Sequence, residues 1–282
     1  MISQKNLECL KQKKLFLFDI DGTIALGDEL LPGARELISY LRATGRRIFF
    51  TTNNSTKSRE DYVRYFARHR IFINAEEIMT AGGLTLLFCQ EHFKDKKIFL
   101  MGTPSLKQEL ESCGLTITEQ YEEDIACVLV AFDTTLSFRK LEDASRILCN
   151  REVIFLASNP DLCCPTFFGA VPDCGSICEM LKNATGREPK FLGKPYPDIV
   201  NQCRKLAGVS REETVLVGDR IYTDMACAEN AGVEGILVLS GEATRKNALD
   251  CGLQIPYVFE SVRELYQYLS YISDRAHLGE RF

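Results

Sequence analysis

Short apolar runs alternate along the chain with stretches in which apolar residues recur every three or four positions. Runs such as Leu15-Phe16-Leu17-Phe18 read as buried strands and the longer-period stretches as amphipathic helices, so the pattern predicts α/β layers over a mainly parallel sheet. Pro32-Gly33 opens a helix through about Thr44, with Leu37, Ile38 and Leu41 as its apolar stripe and Gly45 as its stop. Residues 47–52 form the next strand, and Ser58 caps a helix carrying Tyr62, Tyr65 and Phe66 on one side. Gly82-Gly83 marks a composition shift read as a hinge, after which residues 97–101, 126–132 and 153–157 are strands of a second, smaller α/β unit. A helix at 175–184 ends at Gly186, and Lys190-Phe191-Leu192-Gly193 reads as a strand of the returning core. Beyond Pro195 come a helix to about Ala207, a strand at 214–217, a helix at 225–230 and a strand at 235–239, with Gly208 and Gly232 at helix C-caps. In the tail, Val262, Leu265, Leu269 and Ile272 lie at helical spacing and predict a packing helix. The expected organisation is a discontinuous core of residues 1–83 and 186–282, interrupted by an α/β insertion at 84–185.

Polar residues collect where these strands end. Asp19 and Asp21 follow the first apolar run, and side chains at i and i+2 of an extended strand point the same way. Two such carboxylates repel unless a cation or a shared proton intervenes, which suggests a divalent metal. Asp21-Gly22 also suits a simple turn, and either reading fits that pair alone. The strand at 47–52 exits into Thr51-Thr52-Asn53-Asn54-Ser55-Thr56, Lys194 follows Gly193, and Asp219 and Asp224 lie within Gly218-Asp219-Arg220-Ile221-Tyr222-Thr223-Asp224. Each group has a plain structural reading: Thr52 or Asn53 as a helix cap, Lys194 as a solvated lysine, Asp219 in a turn, Asp224 as a cap. Together they stand at strand exits, which a parallel sheet gathers along one edge, where open α/β folds bind ligands.

One chemistry uses them all. A carboxylate can attack a phosphoryl phosphorus and form an aspartyl-phosphate, provided the repulsion between the two anions is cancelled. Mg²⁺ suits the task because it prefers hard oxygen ligands. Asp19 and Asp219 would be its carboxylate ligands, with Asp21 contributing its backbone carbonyl. Lys194 would neutralise phosphate charge, Thr52 and the Asn53 amide would donate to phosphoryl oxygens, and Asp21 would move protons as acid and base.

Composition narrows the field. The 282 residues are 45% hydrophobic and 26% charged with a net charge of -5, a soluble globular balance without a basic face for nucleic acid. The polar stretch up to Lys14 and the four apolar residues behind it are too short for a signal peptide or a membrane span. Twelve scattered cysteines without a leader fit reduced thiols in a cytoplasmic protein, and with His69, His92 and His277 the only histidines, a zinc site is disfavoured.

Asp-Ile-Asp-Gly-Thr at 19–23, Thr-Asn-Asn at 52–54, Gly-Lys-Pro at 193–195 and Gly-Asp-(x)₃-Thr-Asp at 218–224 resemble, in order, the four motifs of the haloacid dehalogenase-like hydrolases. The insertion between the second and third motifs is similar to the cap of the NagD-like, p-nitrophenylphosphatase subclass. The resemblance implies a Rossmann-like parallel-sheet core with an inserted α/β cap and Mg²⁺ as cofactor. It implies Asp19 as nucleophile, Asp21 as acid-base, and Thr52, Asn53, Asn54 and Lys194 at the phosphate. Asp19, Asp21 and Asp219 would hold the metal, with Asp224 supporting its water shell. Dehalogenase members lack an aspartate matching Asp21, so its presence favours phosphate esters.

In such enzymes the cap sets specificity, which directs attention to Ser158-Asn159-Pro160-Asp161 and to Asp173, Cys174, Gly175 and Ser176, a stretch that resembles the NagD-like substrate loop and equally suits a helix N-cap. Pyridoxal phosphatases resemble this chain but carry a histidine where it has Cys164. The expected activity is hydrolysis of small phosphomonoesters such as sugar phosphates, nucleoside monophosphates or p-nitrophenyl phosphate. The alternatives are a phosphotransferase or mutase of the same fold and a catalytically silent binding protein; intact Asp19, Asp21, Lys194 and Asp219 stand against the latter. No nucleic-acid or membrane partner is expected, and a homodimer is left open.

Overall fold

The computed structural model describes residues 9–166 and 168–279, the last eight of them by backbone alone. The polar stretch before residue 9 and the side chains of Ile272 and His277 lie outside the described residues. The chain divides into two compact units, one of Met1–Thr52, Tyr65–Ile78 and Pro195–Phe282, the other of Asn53–Arg64 and Met79–Lys194.

The first unit is built on a six-stranded sheet in the order Tyr257–Phe259, Glu234–Val238, Thr214–Gly218, Leu15–Asp19, Arg47–Thr52, Ile78–Thr80. From Tyr257–Phe259 to Arg47–Thr52 every neighbouring pair is parallel. Leu15–Asp19 is buried throughout, as expected of a central strand covered on both faces. Its register places Asp19 opposite Thr51 and Phe18 opposite Val217, so Asp19, Thr52 and Asp219 leave the sheet along one C-terminal edge. Helix Ala34–Ala43 buries Leu37, Ile38 and Leu41, as its periodicity requires. The tail helix, Val262–Gly279, buries Val262, Leu265 and Leu269. It docks on Ala34–Ala43, where the Tyr40 hydroxyl donates to the Leu269 carbonyl at 2.9 Å and the Tyr40 and Tyr266 rings meet edge to face at 5.8 Å. Helix C-caps at Gly208 and Gly232 adopt the left-handed conformation expected of them. The strands Ile78–Thr80 and Tyr257–Phe259 escape sequence analysis because three residues carry no readable period.

The second unit has its own parallel sheet, in the order Lys190–Phe191, Ile154–Ala157, Ile125–Val130, Lys97–Met101, Thr116–Thr118. Two sequence expectations change here. Lys190-Phe191, read as a strand of the core sheet, pairs instead with Ile154–Ala157 in this second sheet, and Phe191 packs against its apolar cluster of Phe99, Val128, Phe155 and Ile177. Gly82-Gly83, read as a hinge, lies in the first turn of helix Ala81–His92, which Thr80 caps by accepting the Gly83 N–H at 2.8 Å. Both glycines are buried, so the composition shift reflects close packing. An antiparallel hairpin, Cys163–Thr166 with Gly169–Pro172, also escaped the sequence because Pro165 and Pro172 argue against strands. None of the twelve cysteines is joined in a disulfide. Among the described residues no helix is long and apolar enough to cross a membrane.

Candidate active site

At the sheet edge of the first unit, Asp19, Asp219 and Asp224 are 7%, 2% and 1% exposed, and one carboxylate oxygen from each lies within 4.8 Å of the others. Three buried anions at this spacing repel strongly unless opposite charge is brought in. The strand end supplies Asp19, the loop after Thr214–Gly218 supplies Asp219, and a π-helical turn over Ile221–Met225 supplies Asp224. In that turn the N–H groups of Asp224 and Met225 both reach the Arg220 carbonyl, at 3.0 and 3.1 Å. Such π-turns are rare and concentrate at functional sites.

Backbone donors fix the two C-terminal acids. Asp219 Oδ2 accepts the Glu242 N–H at 2.8 Å, and Asp224 Oδ2 accepts the Arg220 N–H at 3.1 Å. Asp219 is also hemmed in by missing side chains: a Cβ on Gly22 would stand 2.5 Å from its Oδ2, and one on Gly241 only 2.0 Å. Gly22 also has φ +88°, which favours glycine, so Gly22 is required on both counts. Its carbonyl accepts the Ser240 hydroxyl at 2.7 Å, tying the Asp19-Asp21 turn to the loop that holds Asp219.

Asp21 is half-buried and its carboxylate is not part of the three-acid cluster; its backbone bridges to Ala25, just before the tight Ala25–Leu26 and Glu29–Leu30 hairpin. Its charge is felt at Tyr65, whose phenol is pushed up to about 12, first by burial and then by the carboxylates of Asp21 and Asp28. Thr52 is buried at the end of its strand. Arg220 was not singled out from the sequence. Burial acts to lower its pKa, but the carboxylates of Asp19, Asp219 and Asp224, with Tyr222, outweigh this and raise it. The guanidinium is therefore a resident positive charge beside the acids, and its neighbour Glu242 lies 3.3 Å from its Nε. The signal was present in Gly218-Asp219-Arg220, where a basic residue directly follows the acid.

In the second unit, Lys194 is 2% exposed, against the plain reading of a solvated surface lysine. Asn53 is also buried, and its side chain is committed: Nδ2 donates to the Lys194 carbonyl at 2.8 Å and to Asp161 Oδ2 at 2.9 Å, while Oδ1 accepts the Lys194 N–H at 2.9 Å. Asn54 Oδ1 accepts the Thr56 N–H and hydroxyl at 2.9 and 2.7 Å, turning the chain toward the next helix. Ser58 and Asp61 then cap that helix reciprocally, the Ser58 N–H on Asp61 Oδ2 and the Asp61 N–H on Ser58 Oγ.

The four candidate cap residues begin helix Cys174–Thr185. Asp173 accepts the Cys174 N–H as N-cap, the Cys174 thiol is buried toward the Val130 carbonyl, and the Ser176 hydroxyl donates to the Leu162 carbonyl. Gly175 donates its N–H to the Asp161 carbonyl at 2.8 Å, and a Cβ there would stand 2.3 Å from the Pro160 carbonyl oxygen. These contacts are those of a helix start seated on the 158–161 loop. Gly175→Ala is accordingly expected to cost about 1–3 kcal/mol by overpacking, measured as a lower denaturation midpoint; an unchanged midpoint would show that the loop yields freely.

The carboxylate cluster at a parallel-sheet edge and the buried lysine following Gly193 fit one family. A profile of haloacid dehalogenase-like hydrolases matches residues 16–116, and a second profile of HAD-like hydrolases matches residues 191–265. The chain belongs to the haloacid dehalogenase-like hydrolases. Within them it is similar to NagD and the p-nitrophenylphosphatases. The 4-nitrophenylphosphatase of Thermotoga maritima is 36% identical with a TM-score of 0.87, over 92% of this chain and 98% of that one. NagD from E. coli K-12 is 28% identical with a TM-score of 0.82, over 89% of this chain and 98% of that one. An acid sugar phosphatase of Staphylococcus aureus is 29% identical over 255 residues, 90% of this chain and 97% of the relative. The Rossmann-like core with an inserted α/β cap, expected from the motifs, is the fold these relatives share.

Proposed function

We propose that this chain is a Mg²⁺-dependent phosphatase of small phosphomonoesters that works through an aspartyl-phosphate on Asp19. The observation that carries the reading is the buried cluster of Asp19, Asp219 and Asp224 with oxygens within 4.8 Å, a set of hard donors that fits a small divalent cation. Relatives named acid sugar phosphatase and 4-nitrophenylphosphatase support the substrate class. Asp19, Asp219 and the Asp21 carbonyl would hold the ion, with Asp224 in reach of it or of its waters. Bound there, Mg²⁺ supplies the positive charge that lets an anionic nucleophile approach an anionic phosphate.

A carboxylate oxygen of Asp19 attacks phosphorus, the bond from phosphorus to the leaving oxygen breaks, and Asp21 gives that oxygen its proton. Asp21, now ionised, takes a proton from water; the water oxygen bonds to phosphorus, the bond to Asp19 breaks, and inorganic phosphate leaves. Lys194, Thr52 and the 53–54 segment would hold the phosphoryl oxygens. Because the Asn53 side chain is occupied with Lys194 and Asp161, that residue would contribute through its backbone N–H.

The test is release of p-nitrophenol from p-nitrophenyl phosphate. Chelation should abolish release and Mg²⁺ restore it. Mg²⁺ at about 100 times its Kd should also stabilise the protein by about 2.7 kcal/mol, seen as a higher melting temperature. Absence of release above an Asp19→Asn control, with Mg²⁺ present, would remove the enzyme reading. Analysis of products with added sugar acceptors separates hydrolysis from phosphoryl transfer, and free phosphate should dominate.

A further inference from the structure

The 158–161 loop is wired to both motif segments of its own unit. Asp161 Oδ2 accepts from Asn53 Nδ2 at 2.9 Å and from Asn159 Nδ2 at 3.2 Å. Asn53 in turn closes a two-point clamp on the main chain of Lys194, accepting its N–H and donating to its carbonyl. The network continues inward. The Ser158 hydroxyl donates to Asn159 Oδ1 at 2.7 Å and lies 3.0 Å from the Ser55 hydroxyl, whose oxygen accepts the Phe132 N–H at 2.9 Å. The Ser158 carbonyl accepts the Gly193 N–H at 2.8 Å. Asn53, Ser55, Ser158, Asn159 and Lys194 are all buried.

A buried, mutually satisfied network of this kind holds one arrangement, because each broken link leaves a polar group unpaired in a dry interior. Asp161 has a particular place in it. Asn53 has two N–H donors, one on the Lys194 carbonyl and one on Asp161, so the carboxylate fixes which way the amide faces and hence how it grips Lys194. Without that acceptor the amide keeps only its two bonds to the Lys194 main chain and can pivot about them, so the peptide carrying Lys194 is held less firmly. A misplacement of about 1 Å in a positioned group can cost about 10²-fold in rate.

We propose that Asp161 is a positioning residue for Lys194: it orients the Asn53 amide that clamps the Lys194 main chain, and so ties the cap loop to the phosphate-handling lysine. The inference rests on the phosphatase reading, in which Lys194 neutralises phosphate charge.

A mutant cycle on full-length protein with p-nitrophenyl phosphate and Mg²⁺ tests it. Lys194→Ala should lower kcat by about 10²–10³-fold. Asp161→Ala should lower it by about 10–10²-fold, whereas Asp161→Asn, whose amide oxygen can accept from both asparagines, should stay within about threefold of wild type. In the Lys194→Ala background, Asp161→Ala should add no further loss, since it acts through the group already removed. Multiplicative losses, or Asp161→Asn as impaired as Asp161→Ala, overturn the positioning role. Full activity of Lys194→Ala overturns the phosphatase assignment of that lysine instead. Should Asp161→Ala fail to fold, Asp161→Glu, which keeps the charge but displaces the carboxylate by a methylene, should show the same loss and the same non-additivity; wild-type activity in it overturns the inference.

Discussion

Asp19→Asn should abolish turnover of p-nitrophenyl phosphate, lowering kcat by at least ~10⁴-fold, because a carboxamide offers no anionic oxygen to attack phosphorus. The exchange is nearly isosteric, so the buried strand end should accept it. Its effect on stability should run opposite to its effect on activity. Asp19 is one of three buried acids within 4.8 Å of one another, and neutralising one relieves repulsion in the metal-free protein. The metal-free variant should therefore melt at or above the temperature of metal-free wild type, while gaining less from added Mg²⁺. Turnover near the wild-type level would exclude Asp19 as nucleophile, and a variant that melts much lower would mean that the Arg220 guanidinium already outweighs the repulsion among the acids.

Asp21→Asn is expected to slow the chemical step by about 10²–10⁴-fold, the usual worth of a positioned acid-base, with Mg²⁺ affinity by calorimetry nearly unchanged. The distinction follows from placement. The Asp21 carboxylate stands outside the cluster of Asp19, Asp219 and Asp224, and only its backbone carbonyl is assigned to the ion, a group the substitution leaves in place. Loss of Mg²⁺ affinity would put the side chain on the metal. A second readout is independent of catalysis: removing the Asp21 charge should move the Tyr65 phenol down from about 12, though burial, the larger cause, should keep it above the ordinary range. Ultraviolet titration of the tyrosines follows it directly.

The residues that made the fold legible were those whose environment is uniform. Leu15-Phe16-Leu17-Phe18 is apolar without alternation because both faces of the central strand are covered, and Leu37, Ile38 and Leu41 repeat because one face of their helix is. The acids were legible for a related reason: Asp19 ends one buried strand and Asp219 stands one step beyond another, and a parallel sheet aligns such ends. What the sequence hid depends on pairing across distance. Lys190-Phe191 has the composition of a core strand, and only its partner, Ile154–Ala157, decides which sheet it joins. Gly82-Gly83 has the composition of a hinge, and only the residues packed against it make it a helix start. Tyr65 and the Asn53-Asp161 link acquire meaning from neighbours that no spacing rule brings together.

The π-turn at Ile221–Met225 makes this part of the chain intolerant of changes in length. A π-turn carries one residue more than the α-helical turn it replaces. Deleting any one of the three residues between Arg220 and Asp224 would let the segment relax into an ordinary helix that continues into Ala226–Ala231. The helix would survive, but each residue in it turns about 100° from the last, so Asp224 would swing away from Asp19 and Asp219. Tyr222, exposed in the middle of the turn, can vary in identity while its place in the count cannot. Homologous enzymes that preserve this geometry should therefore vary at the position of Tyr222 and hardly at all in the number of residues between Asp219 and Asp224.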